Sequence, residues 1–179
     1  MTDNDPTLLG IYLNDHLTGA TAGLELFRRA ASSHAGTPAG DVLKRLTAEV
    51  AEDREALLAI TRDLGFSVRR YKVVAGWAAE KAGRLKLNGR ILSRSPLSSV
   101  IELEGLRLGV EGKAAGWRLL QALVPTEPRL GPVAIERLIE RAERQAQELE
   151  SLRIEAGTAA LARASAAGRA PSVGSARAG

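Results

Sequence analysis

Residues 38–65 read PAGDVLKRLTAEVAEDREALLAITRDLG, and this stretch decides the fold. Leu43, Leu46, Val50, Asp53, Leu57, Ile60 and Leu64 recur at steps of three and four. That is the period of an α-helix with one core-facing stripe, not of a strand. Thr37 or Asp41 caps its start, Pro38 suits the first turn, and Gly65 stops it. One residue breaks the pattern: Asp53 stands where the stripe wants an apolar side chain.

Working outward, the same period recurs three times. A first helix is predicted over about Leu8 to Ser33, with the stripe Leu9, Leu13, His16, Ala20, Leu24, Phe27 and Ala31. Ser95-Pro96 opens a third helix that runs to about Val124, with the stripe Leu97, Ile101, Glu104, Leu108, Glu111, Ala115 and Leu119. A fourth spans about Pro132 to Ala160, with the stripe Ile135, Leu138, Ala142, Gln145, Leu149, Leu152 and Ala156. Composition agrees. Hydrophobic residues make up 45% of the 179-residue chain, yet aromatics only 3%, so strand-favouring types are scarce. The expectation is an all-α, four-helix bundle over residues 1–164, with a disordered tail of Ala, Gly, Ser and Arg over 165–179.

Short links make antiparallel hairpins of helices one and two and of helices three and four. The middle connection, 66–95, is long enough to run the length of the bundle, and Tyr71 to Leu87 within it reads as helical. A crossover there sets the third helix parallel to the second. This connection carries eight basic residues against Glu80 alone, a net +7, and the segment 157–179 adds +3. With +4 for the whole chain, the remainder sums to −6. The Arg69, Arg70, Lys72 and Trp77 cluster is a candidate for an anionic partner, nucleic acid or a membrane surface. The alternative, and the favoured one, is pairing with the acidic bundle.

Several function classes are excluded. The chain has no Cys, so it has no disulfides, thiolate metal sites or Cys nucleophiles. No Gly-x-Ser-x-Gly elbow and no Gly-x-x-x-x-Gly-Lys phosphate loop occurs. The opening MTDNDPTLLG is acidic and polar, unlike a secretory signal, and no apolar run suits a bilayer. A cytoplasmic location is expected.

Each stripe also carries polar residues: His16, Asp53, Glu104 with Glu111, and Gln145. A buried carboxylate needs a proton, a cation or a metal. With a crossover, His16, Asp53, Glu111 and Gln145 fall in one layer, with Glu104 and Glu49 in reserve. Without one, Glu104 lies nearer His16. Two hairpins joined by a long connection, with inward acids and a His at mid-height, resemble the ferritin-like superfamily. The resemblance implies carboxylate-bridged metals, iron or manganese, and two Glu-x-x-His pairs. Those pairs are missing here, because His16 and His34 do not follow a Glu at that spacing. The resemblance therefore implies a non-enzymatic or degenerate member that holds one divalent metal through His16, Asp53, Glu111 and Gln145. The other readings are a hydrogen-bond and ion-pair network that fixes register, with Arg54, Arg107 or Lys113 reaching inward, and a site for a different ligand.

One further pattern stands out on the third helix. Gly105, Gly109, Gly112 and Gly116 form a stripe at steps of four, three and four. Close packing against a neighbouring helix, such as the connecting one, is one reading, and a homo-oligomer interface is the other.

Overall fold

The computed structural model describes residues 8–68 and 96–167, and within them the chain is a four-helix bundle. The helices are α1 (Leu8–Ser33), α2 (Pro38–Asp63), α3 (Pro96–Leu123) and α4 (Pro132–Ala167). Expected boundaries hold for the first two. α4 runs past Ala160 to Ala167.

Local chemistry fixes the first hairpin. Thr37 is the N-cap of α2 in extended conformation, and its hydroxyl accepts from the Gly40 amide at 3.1 Å. Pro38 follows at the position where a missing N–H costs nothing. Gly36 takes a φ of 77°, which turns the chain. Gly40 is needed for contact, because a Cβ there would run into the His34 carbonyl. α2 closes with Gly65 at φ 79°, the Gly65 amide on Arg62 O and the Phe66 amide on Thr61 O. That pair of bonds is the Schellman stop.

Cross-helix contacts give the topology. On α2 and α4, Arg45 meets Glu148, Glu49 meets Gln145 and Asp53 meets Arg141, so the two run antiparallel. On α3 and α4, Arg107 meets Glu150 and Arg118 meets Glu143, again antiparallel. His34 at the end of α1 meets Glu102 near the start of α3. It follows that α2 and α3 are parallel. The far end of α2 is held by Arg129, whose Nη1 donates to Leu64 O at 2.9 Å from the α3–α4 loop. Val68 and Pro96 thus lie at opposite ends of the bundle, as the crossover expectation requires. The helical reading of Tyr71 to Leu87 and the tail beyond residue 167 lie outside the described residues.

The core is aliphatic: Leu13, Leu17 and Phe27, then Leu43, Leu46 and Leu57, then Leu103, Val110 and Leu120, then Ile135 and Leu149. Each such side chain stabilises by about 1.5–3 kcal/mol on full burial.

α3 corrects the sequence reading. Its buried stripe is Leu103, Leu106, Val110, Ala114, Trp117 and Leu120. The expected stripe faces outward, with Ile101 64% and Leu108 68% exposed. α3 has apolar residues on two faces, and only one face carries no carboxylate. Turning Glu104 and Glu111 to the core would cost several kcal/mol each, so the other face is buried.

Candidate functional site

A polar layer crosses the bundle at mid-height. Asp53 on α2 is 1% exposed and Gln145 on α4 is fully buried. Lys113 on α3 reaches between them. Its Nζ donates to Asp53 Oδ2, and to Gln145 Oε1 at 2.5 Å. Gln145 Nε2 donates to Glu49 Oε2 at 2.9 Å and to Asp53 Oδ2 at 3.3 Å. Arg141 closes the far side, with Nη2 at 2.5 Å from Asp53 Oδ1 and Nη1 at 2.9 Å from Glu52. The Arg141–Asp53 contact is one of charge. Asp53 Oδ1 and Arg141 Nε are buried and have no hydrogen-bond partner among the described residues.

Charge in the layer is balanced, with Asp53 and Glu49 against Lys113 and Arg141. Burial pushes the Lys113 amine below its ordinary range, and the Asp53 charge and hydrogen bond offset this only in part. For Glu49, burial pushes upward. Hydrogen bonds from Gln145 and Arg45 and the charges of Arg144 and Arg45 outweigh it, so its carboxyl sits below the usual value.

The expected layer is brought together only in part. Asp53, Gln145 and Glu49 meet. Glu111 does not join them: it is 43% exposed and pairs with Arg107 at 3.5 Å. Glu104 is 49% exposed and pairs with Arg153 at 3.4 Å. Both corrections follow from the reversed face of α3. His16 packs its ring on Tyr12, with centroids 4.1 Å apart, and its Nδ1 lies 3.1 Å from Tyr12 O. It makes no hydrogen bond to Asp53. Of the three basic side chains considered for the interior, Lys113 is the one that enters. Arg54 donates to Thr21, and Arg107 serves the surface acids. Arg69, Arg70, Lys72 and Trp77 lie outside the described residues.

The residues present do not fit a divalent metal. Two oxygens that would bind it, Asp53 Oδ2 and Gln145 Oε1, already accept from the Lys113 ammonium. Among the described residues, no three His, Asp or Glu side chains come together as a ligand set.

Beside the layer lies a groove of about 370 Å³ between α1 and α3. Val50, Asp53 and Leu57 of α2 line it from below, and Leu13, Phe27 and Trp117 contribute apolar wall. Six glycines also line it, Gly19 and Gly23 on α1 and Gly105, Gly109, Gly112 and Gly116 on α3, and Tyr12, Asp15, His16 and Arg54 add polar groups. At Gly19, Gly23, Gly105, Gly109 and Gly112, a Cβ would meet nothing within 4 Å among the described residues. Among the described residues, no helix packs on the stripe at those positions, and packing by the connection 69–95 lies outside the described residues. At Gly116 a helix does pack closely, and a Cβ would lie 2.8 Å from His16 Cδ2. Trp117 Nε1 is buried without a partner among the described residues. Sequence reasoning found the glycine stripe but missed its α1 counterpart, and it named Lys113 only as one of three cations able to reach inward. The available signal was that Lys113 stands at the height of Asp53, within the glycine run.

Comparison with protein-family models, with curated proteins and with solved structures found no match.

Proposed function

We propose that the chain is a ferritin-like crossover bundle that binds a small apolar ligand, and that its polar layer is structural. The observation that carries this reading is the glycine-lined groove. A helix interior loses up to about 1 kcal/mol for each Gly in place of Ala. Six glycines on two facing walls are a sequence cost that contact between α1 and α3 does not explain, except at Gly116. Space for a bound molecule does explain it. The volume of about 370 Å³ falls among small-molecule pockets, which are mostly apolar with a few fixed polar groups. Here those groups include Lys113, Asp53 and the Trp117 N–H.

The layer's role follows from its charge balance. Lys113 and Arg141 supply the positive charge that the inward acids need, so no metal is called on for stability. The test is a calorimetric titration with nonanol. Saturable binding is expected, lost in Gly109→Leu, which fills the groove where a Cβ has room. Equal binding by the variant, or none by the wild type, overturns the reading.

A further inference from the structure

We propose that Lys113 is the covalent anchor of this groove, condensing with a small apolar aldehyde to a Schiff base that Asp53 holds as counterion. The inference rests on reading the groove as a ligand site.

Three observations carry it. The first is access. Gly109 and Gly116 stand four residues before and three after Lys113, its neighbours on the helix surface, and Gly112 precedes it. None has a side chain to shield the amine, and all four residues line the groove. The second is charge. Asp53 has two cations, Lys113 on Oδ2 and Arg141 on Oδ1. When Lys113 loses its proton, Arg141 still balances the buried carboxylate. When the imine is protonated, its charge lies where the ammonium was. The third is medium. The Lys113 side chain is only 16% exposed, in an apolar groove. Burial enriches the neutral, nucleophilic amine and keeps water from the product.

The step balances without an added oxidant or reductant. Lys113 gives one ammonium proton to Asp53 or solvent. The Nζ lone pair attacks the carbonyl carbon, the C–O π pair moves to oxygen, and that oxygen is protonated to a carbinolamine. A second proton transfer lets the nitrogen lone pair expel water. Ammonium and aldehyde thus become iminium and water, with net charge unchanged.

The experiment incubates the full chain with nonanal and cyanoborohydride at neutral pH and maps the nonyl group by peptide mass spectrometry. Lys44, the other lysine among the described residues, is exposed and serves as the internal comparison. Labelling of Lys113 over Lys44 by about tenfold or more is expected. Nonanol should compete with it, and Gly109→Leu, which retains the amine, should abolish the preference. If nonanol binds in the groove but Lys113 is labelled no more than Lys44, the covalent anchor is wrong and the groove reading survives. If neither nonanol nor nonanal engages it, both are wrong, as when residues 69–95 or a second copy fill the groove.

Discussion

Lys113 of α3 spans to Asp53 of α2 and neutralises a carboxylate that has 1% of its surface exposed. The two helices are parallel and diagonal in the bundle, so this pair ties the hairpins together through the core. Arg141 of α4 supports the same carboxylate from the other side.

Removing one partner of a buried pair costs more than removing both. Asp53→Asn leaves Lys113 and Arg141 facing each other and should destabilise by about 3–5 kcal/mol in urea unfolding. Lys113→Met leaves Asp53 with Arg141 and should cost less, about 1–3 kcal/mol. The double variant should cost less than the sum. Strict additivity would show that the pair is not coupled.

The glycines separate into two groups. Gly105→Ala, Gly109→Ala and Gly112→Ala each add helix propensity without a clash among the described residues, and should stabilise by about 0.5–1 kcal/mol in thermal unfolding. Gly116→Ala should destabilise by about 1–3 kcal/mol, because its Cβ would press on His16. A loss of stability at Gly109 or Gly112 would mean that backbone or side chain lies closer than the groove allows.

Stability should respond to pH at two places. The Glu49 carboxyl is lowered from its ordinary 4.5, so it contributes stability above that value, lost as pH falls through the folded value below it. Glu49→Gln should remove this acid limb. The Lys113 amine is lowered from its ordinary 10.5. Between its folded value and 10.5 the unfolded chain binds more protons, so stability rises with pH across that window. Lys113→Met should flatten the rise, as read from urea midpoints across the alkaline range.

Loading with Fe(II), Mn(II) or Zn(II) followed by desalting should leave no stoichiometric metal on the wild type. Retention of one metal per chain, lost in Asp53→Asn, would show that the ammonium yields its place.

How much of this was legible in the sequence differs by helix. α2 and α4 each have one apolar stripe, so their phase was readable and Asp53 and Gln145 were correctly turned inward. α3 is apolar on two faces, Leu97–Ile101–Leu108–Leu119 and Leu103–Leu106–Val110–Trp117. Periodicity alone cannot choose between them. The choice depends on where Glu104 and Glu111 find cations, and those are Arg153 and Arg107 on the surface. The groove was unreadable for a related reason: a glycine stripe signals lost side chains but not whether another helix fills the space.

The amide NMR spectrum of the full chain during a nonanol titration tests the central claim most directly. The groove account predicts saturable shifts at Gly19, Gly23, Gly105, Gly109, Gly112 and Gly116, with Gly131 and Gly157 unmoved. No shift at the groove glycines, or the same drift at all eight, would contradict it.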